Sequence, residues 1–309
     1  MNATQTDLLP PRLERGDTIG LVAPAGPLHD REKFAAGIRL IREMGFQVKF
    51  DRDIFRSDGF LAGDDSRRAE EFNSLWADPE VKGLLAARGG YGSLRMVDGI
   101  DMGLIRQNPK IVAGFSDITV LLTAIRKATG LVTFHTPTVS TLADSDKTTV
   151  ESLFATLTSQ RPPAPIRPAG LEILAPGNAR GTLLGGNLTN LVHLLGTPHE
   201  LAWQGAILFL EDIGEASYRI DRMLTQLKAA GRFAGLAGLL LGNFTECGDH
   251  ELIWQRTLDL VAANGIPVWA NLPVGHARDN RTLPLGITTE MDAGAGVLRF
   301  HSPCTVPPE

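Results

Sequence analysis

The stretch KIVAGFSDITVLLTAI, Lys110 to Ile125, decides both the fold and the candidate chemistry of this chain. Its first residues predict a buried β-strand, and the apolar residues after Ser116 recur with helical spacing. Ser116 therefore lies at a turn between strand and helix, where its hydroxyl faces the positive end of the helix. That geometry suits a nucleophile whose attack creates negative charge. The motif Gly-Phe-Ser-Asp lacks the second glycine of a G-x-S-x-G elbow, and the position also suits a helix N-cap. Whether Ser116 is a nucleophile or a cap therefore depends on the presence of a base and an acid elsewhere in the chain.

Strands and helices alternate through the first half of the chain. The predicted strands are Asp17–Pro24, Phe46–Phe50 and Val81–Ala86, and the predicted helices are Asp30–Met44, Asp64–Ala77 and one that begins over Ser93–Asp98. Strands that alternate with helices at this spacing predict a parallel sheet covered on both faces. Ligands of such sheets bind beyond the carboxyl ends of the strands, which is where Ser116 lies.

A proline-rich segment divides the chain. We predict an N-terminal domain over residues 1–160, a linker over 161–177 and a C-terminal domain over 178–309. Past the linker the elements are shorter and less regular. The predicted strands there are 178–184, 206–210, 236–241 and 268–272, the predicted helices are 188–195 and 218–230, and 282–300 predicts short strands with glycine turns.

Composition excludes several classes of protein. The chain has 309 residues, of which 43% are hydrophobic and 21% charged, as in ordinary globular proteins. Its net charge is −5 and no basic block is present, so nucleic acid is not an expected partner. We expect no membrane association, because no apolar run reaches about 18 residues and the N-terminus lacks the pattern of a secretory signal. The two cysteines favour a reducing, cytoplasmic location.

Two residues are candidate partners of Ser116. Glu211 closes the apolar strand Ile207–Leu210, with Asp212 and Glu215 as rival acids. His276 follows a short apolar strand, in the segment PVGHARDN. A histidine is the usual proton acceptor for a serine nucleophile, and a carboxylate fixes its tautomer. A solvated acidic turn and a structural loop histidine are the alternative interpretations.

Glycine-rich turns supply candidate binding groups. Backbone amides in the turn RGGYG, residues 88–92, suit an oxyanion or a phosphate, although a plain tight turn is the alternative. Gly89 is a candidate contact there. Gly186 allows a ligand close to the backbone, and Asn187 is either a second contact or a helix cap.

Charged and polar side chains outside these turns are weaker candidates. Arg219 and Arg222 share one helix face and suit either a substrate carboxylate or surface ion pairs. His135, after a strand-like run, favours packing over chemistry. No cluster has the spacing of metal ligands.

Taken together, these motifs resemble the LD-carboxypeptidases, the muramoyltetrapeptide carboxypeptidases. The resemblance covers nearly the whole chain. It rests on the order of GDTIGLVAPAGP, the block LAGDDSRRAEEFNSLWADPEVKGLLAARGGYGSLR, AGFSD, GGNLTNLVHLLGTP, LFLEDIGEASYRIDRMLTQL and PVGHARDNRTLPLG. It implies an α/β protein with a flavodoxin-like, doubly wound parallel-sheet domain, a smaller swivelling α/β domain, and an active site in the cleft between them.

The resemblance also implies roles for individual residues. Ser116, Glu211 and His276 would form a Ser-His-Glu triad. The amides of Gly90 and Asp117 would bind the oxyanion. By position, Arg219 is a candidate substrate contact. The activity implied is removal of the terminal D-alanine from a murein tetrapeptide, with no metal or organic cofactor. The resemblance further implies a homodimer.

One position departs from the family pattern, and two other functions stay open. Thr136 stands where relatives often carry glycine in Phe-His-Gly-Pro, which affects the expected pocket floor. The microcin C immunity peptidases share the triad, so an aminoacyl or peptidyl nucleotide is an alternative substrate. A stacking aromatic, for which Trp203, Trp254 and Trp269 are available past the linker, would favour that alternative. A two-domain binder without catalysis would keep the serine, histidine and glutamate apart.

Overall fold

A computed structural model describes residues 7–308 as two β-sheets with helices packed around them. In chain order, the elements before the predicted linker are β1 (Thr18–Val22), α1 (Arg31–Glu43), β2 (Gln47–Lys49), α2 (Asp65–Ala77), β3 (Val81–Ala86), α3 (Ser93–Met96), α4 (Met102–Gln107), β4 (Ile111–Gly114), α5 (Thr119–Thr129), β5 (Thr133–His135), α6 (Val139–Leu142) and α7 (Lys147–Thr158). Short 3₁₀ helices cover Val97–Gly99 and Ser116–Ile118.

The later elements alternate less regularly. They are β6 (Glu172–Ala175), β7 (Ala179–Asn187), α8 (Leu188–His193), β8 (Ala206–Ile213), α9 (Ser217–Ala229), β9 (Gly238–Thr245), α10 (His250–Val261), a 3₁₀ helix over Ala262–Asn264, β10 (Val268–Ala270), β11 (Leu283–Leu285), β12 (Thr288–Asp292) and β13 (Val297–Phe300). None of the helices in residues 7–308 is long and apolar enough to cross a membrane.

The first sheet has the order β2-β1-β3-β4-β5-β11. Its first five strands are parallel, and their order is that of flavodoxin-like folds. Parallel strands need crossover connections, which α1, α2, α4 and α5 provide among others. The predicted doubly wound sheet is therefore confirmed. Sheets of this kind bind ligands beyond the carboxyl ends of their strands, and here the ends of β3 and β4 lead into the glycine turn and Ser116.

The second sheet has the order β13-β12-β7-β8-β9-β10-β6. A parallel centre of β7, β8, β9 and β10 is flanked by antiparallel strands on both sides. Strand β8 lies in the middle, and its residues from Ala206 to Asp212 are all buried. The carboxyl end of this strand carries Glu211.

The chain crosses between the two sheets more often than the predicted boundaries imply. The segment predicted as a linker contains β6, which pairs with β10 at the edge of the second sheet. After the second sheet, β11 returns to pair with β5 in the first. The domain limits at residues 160 and 177 stay predictions, because these exchanges leave no single point at which one sheet ends and the other begins.

Aspartates define where many of the helices begin. In the described chain, five helices start after an aspartate whose carboxylate accepts a hydrogen bond from the backbone amide three residues later, namely Asp30, Asp64, Asp101, Asp146 and Asp249. Such a cap satisfies a first-turn amide that has no partner within the helix, and its charge also interacts favourably with the helix dipole. These caps explain why the predicted helix starts near residues 30 and 64 are close to the observed ones.

The two sheets share part of one hydrophobic core. The larger cluster contains residues of the first sheet together with Phe209, Leu240 and Trp269 of the second. A separate cluster lies around the opposite face of the second sheet, beneath α8, α9 and α10. The contact between the sheets is thus apolar and buried, and it fixes the position of β8 relative to β4.

Replacing Gly185 with alanine is expected to lower the free energy of unfolding by about 3 kcal/mol. Gly185 lies in β7 at φ +139°, and a Cβ there would lie 1.9 Å from the carbonyl oxygen of Phe209 in β8. Backbone of a central strand cannot move aside without breaking its sheet hydrogen bonds. Urea denaturation measures the change, with Gly170→Ala as the matched control. No atom lies within 4 Å of a Cβ at Gly170, so a change beyond about 0.5 kcal/mol is not expected there. Equal stability of the two variants would contradict the packing described.

Candidate active site

Ser116 lies in a sharp turn directly after β4. Its φ is +63°, a left-handed conformation that is uncommon for residues other than glycine. The turn is tight because Gly114 has no side chain. A Cβ at Gly114 would lie 2.9 Å from Ile118 Cγ2 and 3.0 Å from Ala86 Cβ. The turn predicted from the sequence is therefore present, its backbone is strained at Ser116, and a single glycine before the serine is sufficient to form it.

The glycine turn after β3 packs directly against this elbow. A Cβ at Gly89 would lie 2.9 Å from Ser116 Cβ and 3.2 Å from Ser116 Oγ. Gly90 has φ +112°, and a Cβ there would approach Gly26 to 3.1 Å. The amide of Gly26 donates a hydrogen bond to the carbonyl oxygen of Gly89 at 3.0 Å. Glycine is thus required at both positions for the turn to lie beside the serine hydroxyl.

The carboxylate of Asp117 joins the elbow to the same turn. Its Oδ2 accepts a hydrogen bond of 2.8 Å from the amide of Ser93, the first residue of α3. Burial raises the pKa of Asp117, and hydrogen bonds from Ser93 and Gly92 oppose that rise. Sequence reasoning assigned a role only to the Asp117 amide. The Asp117 side chain also anchors the glycine turn through Ser93. This role could not be predicted from the sequence, because the two residues are 24 positions apart.

Glu211 and His276 form a buried hydrogen-bonded pair. The Nδ1 atom of His276 lies 2.6 Å from Oε2 of Glu211. Glu211 is fully buried, and its Oε1 has no hydrogen-bond partner. Burial lowers the pKa of His276, but the charge and hydrogen bond of Glu211, together with the charge of Asp212, outweigh burial, so the pKa is raised. The carboxylate therefore stabilises the protonated imidazole.

A β-bulge brings the histidine loop to Glu211. Leu210 of β8 pairs with Leu241 of β9, whereas Asp212 pairs with Phe244, so β9 carries one extra residue. At this bulge a Cβ on Gly242 would lie 2.5 Å from the carbonyl oxygen of Val274. The missing side chain leaves room for the loop that carries His276.

Two further contacts hold His276 in place, and sequence reasoning missed both. The His276 ring lies 4.6 Å, centroid to centroid, from that of Phe115, the residue before Ser116. The side-chain oxygen of Asn280 accepts a hydrogen bond of 3.0 Å from the amide of Gly275. Phe115 thereby connects the histidine to the serine elbow. The position of Asn280 in the same short segment as His276 was the signal that could have identified it.

The rival acids have other partners. Asp212 is buried and accepts hydrogen bonds from the side chain of Asn187 and from the amide and hydroxyl of Thr189. Glu215 pairs with Arg219 at 3.4 Å. Of these three acids, Glu211 is the one that the structure brings to His276.

The remaining predicted contacts lie in different surroundings. The amide of Asn187 donates to Thr119 Oγ1 at 3.1 Å, and its side-chain oxygen accepts from the amide of Asn190, so Asn187 caps α8 as the alternative interpretation had it. A Cβ on Gly186 would meet Thr119 Cγ2 at 2.6 Å. Both residues are therefore close to α5, the helix that follows Ser116. Arg219 lies exposed in the first turn of α9, beside Tyr218.

His135 occupies the floor behind the serine elbow. It is fully buried, and neither ring nitrogen has a partner in good hydrogen-bond geometry, although the side chain of Asn280 is near enough to oppose the fall in its pKa. Its ring contacts Phe115 and Phe209, with centroid distances of 5.7 Å and 5.0 Å. Burial, and next the charge of His276, lower the pKa of His135 to about 3. Its imidazole is therefore uncharged at neutral pH and packs between aromatic rings, as the sequence favoured.

Comparison with known sequences identifies the family. Residues 19–136 match the LD-carboxypeptidase N-terminal domain, and residues 180–291 match the LD-carboxypeptidase C-terminal domain. The chain belongs to the LD-carboxypeptidase family. The resemblance inferred from the sequence motifs is thereby confirmed, and the protein is a serine-type peptidase of this LD-carboxypeptidase family.

Relatives with names and structures are similar over almost their whole length. The probable murein peptide carboxypeptidase of Bacillus subtilis is 39% identical, over 92% of this chain and 91% of that protein. The crystal structure of muramoyltetrapeptide carboxypeptidase from Oxalobacter formigenes, 30% identical, aligns over 94% of this chain and 100% of that one with a TM-score of 0.82. The two-domain α/β fold of this LD-carboxypeptidase is therefore also that of the present chain.

A second group of relatives has a different name. The microcin C7 self-immunity protein MccF of Escherichia coli is 27% identical, over 92% of this chain and 93% of that protein. A structure of MccF in complex with glutamyl sulfamoyl guanosine aligns over 97% of this chain and 100% of that one, with a TM-score of 0.91 and 24% identity. At that identity the structural likeness concerns the fold.

Proposed function

We propose that this LD-carboxypeptidase family member removes the terminal D-alanine from murein tetrapeptides by hydrolysing the L,D-peptide bond before it. The observation that carries the proposal is the 2.6 Å pair of His276 and Glu211, held by Phe115 against the elbow of Ser116. The names of the Bacillus and Oxalobacter relatives support the choice of substrate. The reaction would use these three side chains as nucleophile, base and orienting acid.

In the first step, Ser116 Oγ would attack the carbonyl carbon of the residue before D-alanine. His276 Nε2 would accept the hydroxyl proton, and the imidazolium formed would be stabilised by Glu211 through Nδ1. The raised pKa of His276 is consistent with this role, because the carboxylate favours the protonated ring. The strained backbone at Ser116 would keep the hydroxyl clear of the sheet.

The tetrahedral intermediate would carry a negative oxygen next to the glycine turn. We assign its stabilisation to the backbone amides of Gly90 and Asp117. Support comes from the packing of Gly89 against Ser116, which leaves the turn beside the reacting atoms. Preorganised amides in a site of low dielectric constant contribute strongly to acyl transfer.

Collapse of the intermediate would break the carbon–nitrogen bond, and His276 would give its proton to the departing amine of D-alanine. Water would then attack the acyl-enzyme ester with His276 as base again. Proton return to Ser116 Oγ would release the shortened peptide with a new carboxylate.

Recognition of the substrate would involve groups around this centre. We keep Gly89, Gly186 and Asn187 as proposed contacts, and Arg219 as a proposed partner for a substrate carboxylate. Arg219 is exposed, and its contacts with Glu215 and the Tyr218 hydroxyl are long at 3.4 Å and 3.2 Å, so a bidentate pair with a substrate carboxylate would be stronger than either.

Two observations favour this function over the alternatives. Trp203, Trp254 and Trp269 are all buried in the hydrophobic core, so none of them offers an open face on which a nucleobase would stack. A binder without catalysis would keep the serine, histidine and glutamate apart, whereas His276 contacts both Glu211 and the neighbour of Ser116.

D-alanine release tests the proposal. We expect the purified protein to release D-alanine from a tetrapeptide that ends in D-alanine, and to release no alanine from the same peptide ending in L-alanine. After the peptides ending in D-alanine and L-alanine, an aminoacyl sulfamoyl nucleotide is assayed as the third substrate. Cleavage of that nucleotide with no D-alanine release would overturn the murein assignment in favour of the microcin-type function.

We also propose a cytoplasmic location and, on the family resemblance alone, a homodimer. Both cysteines, Cys247 and Cys304, are buried free thiols, as in proteins of reducing compartments. Burial raises their pKa to about 11 and about 12, so neither is a reactive thiolate at neutral pH.

A further inference from the structure

Two aromatic side chains lie exposed at the edge of the first sheet that carries Ser116. Phe60 is 66% exposed and Tyr91 is 52% exposed. Their rings are in contact, with centroids 5.5 Å apart and planes inclined at 65°. Large apolar side chains are usually buried, so a contacting pair held in solvent points to a ligand. We call Phe60 and Tyr91 the aromatic pair.

The turn that carries Phe60 is fixed by backbone hydrogen bonds. Asp58 and Leu61 exchange two bonds across Gly59 and Phe60, of 2.8 Å and 3.0 Å. The side chain of Leu61 is buried against Gly92, where a Cβ would lie 2.5 Å from Leu61 Cδ2. The Phe60 turn therefore rests on the glycine turn that carries Tyr91.

A buried arginine connects these turns to the rest of the edge. Arg68 is fully buried and donates hydrogen bonds to the carbonyl oxygens of Pro24, Gly63 and Gly92. One side chain thus ties the loop after β1, the loop before α2 and the glycine turn together. The aromatic pair is presented by a rigid scaffold, which lowers the entropy cost of binding.

Tyr91 of the aromatic pair belongs to the same turn as Gly90, one of the two proposed oxyanion donors. Tyr91 follows Gly90 directly, and Gly89 touches Ser116. Two residues of chain span at most about 7 Å, and a tyrosine side chain extends further. The pair is therefore within reach of a substrate whose scissile bond lies at Ser116, but beyond the scissile bond itself.

The charges beside the aromatic pair are engaged within the protein. Arg95 forms two hydrogen bonds with the carboxylate of Asp65. Arg88 donates to the carbonyl oxygen of Pro27 at 2.7 Å. These two arginines flank Tyr91 in the sequence; Asp65 offsets the charge of Arg95, and Arg88 is anchored to the backbone through one of its donors. Because Asp65 offsets the charge of Arg95, the groups beside Tyr91 do not require an anionic ligand, and an uncharged one fits.

We propose that the aromatic pair binds the neutral N-acetylated amino sugar of a muropeptide, the carbohydrate to which the tetrapeptide is attached. This inference rests on the proposed function. Only D-alanine lies on the leaving side of the scissile bond, so every larger group lies on the acyl side. Three residues of extended peptide place the sugar roughly 10 Å from the scissile carbonyl. The C–H face of a pyranose packs on the face of an aromatic ring without needing charge.

A nucleobase and a second protein copy fit the pair less well. The 65° inclination leaves no parallel slot between the rings for a base, and the phosphate of a nucleotide would have to compete with Asp65 for Arg95. A second copy of the chain would use the pair as an interface, which the oligomeric state detects.

The test compares two substrates with the same tetrapeptide, one free and one attached to N-acetylmuramic acid. Steady-state kinetics of D-alanine release give kcat and KM for the wild type, Phe60→Ala, Tyr91→Ala and Phe60→Leu. Phe60→Leu keeps an apolar side chain but removes the ring. Ile173→Ala is the matched control, because Ile173 is 42% exposed on β6, three strands away from β8.

For the sugar-linked substrate we expect each of the three variants to raise KM about tenfold with kcat unchanged. KM for the free tetrapeptide stays at the wild-type value, and Ile173→Ala changes neither. Equal effects on both substrates, no effect on either, or a change of oligomeric state in Phe60→Ala would overturn the sugar assignment. Wild-type protein that cleaves neither substrate would overturn the proposed function and this inference with it.

Discussion

Ser116→Ala is expected to lower kcat for D-alanine release by at least about 10⁴-fold. The variant has no hydroxyl to form the acyl-enzyme, and the remaining amides and binding contacts would support only slow attack by water. Alanine has a Cβ like serine, so the left-handed backbone at φ +63° imposes a similar strain on both and the fold is retained. A coupled assay for free D-alanine measures the loss.

The matched control for this variant is Ser74→Ala. Ser74 lies exposed on α2, away from the elbow. Its removal is expected to leave kcat and KM unchanged. D-alanine release by Ser116→Ala at the wild-type rate would remove the serine from the mechanism, whereas an unfolded variant, detected by circular dichroism, would call for Ser116→Gly in the same assay.

Glu211→Gln is expected to lower kcat by about 10³- to 10⁴-fold. The glutamine has nearly the same shape but no charge, so it no longer stabilises the imidazolium, and its amide group favours the wrong tautomer of His276. The buried position of Glu211 makes the loss large, because no solvent replaces the carboxylate. Glu70→Gln, at an exposed position of α2, is the control and retains full activity.

The same substitution has a second, independent readout in the pH profile. In the wild type, activity requires the unprotonated His276, so kcat/KM falls as the pH falls through the raised pKa of His276. Without the charge of Glu211, burial is the main remaining influence and lowers that pKa. The acid limb in Glu211→Gln is therefore expected at lower pH than in the wild type. An acid limb that does not move would contradict the assignment of Glu211 as the partner of His276.

Much of the first domain was predictable, because the local sequence signals for strands and helices there match the structure that the packed domain adopts. Buried parallel strands are continuous apolar runs, and helices such as α1 and α2 begin at aspartate caps. The second sheet was harder. Helix α10 was not predicted, and β6 lies inside the proline-rich segment. Strand β11 joins the first sheet from far along the chain. Pairing between such distant segments leaves no local pattern to detect.

The site was partly predictable for the same reason. Ser116 follows a buried strand and Glu211 lies near the carboxyl end of another, where parallel sheets bring functional groups together. The residues alone left Glu211 and Asp212 as rivals, and the family resemblance selected Glu211. The structure adds a physical reason: the two side chains point to opposite faces of β8, where Glu211 meets His276 and Asp212 meets Asn187. The contact of Phe115 with His276 joins segments more than a hundred residues apart along the chain. The hydrogen bond between Asn280 and Gly275 lies within an irregular loop. Neither contact leaves a periodic pattern in the sequence.

The most direct test of the account is to trap the covalent intermediate. Wild-type protein mixed with tetrapeptide, quenched in acid within milliseconds and digested, is examined by mass spectrometry. The account predicts a tripeptidyl ester on the fragment that contains Ser116, absent in Ser116→Ala and formed together with an equivalent burst of D-alanine. A burst of D-alanine with the acyl group on another residue, or turnover with no covalent adduct, would contradict the central claim that Ser116 is the nucleophile.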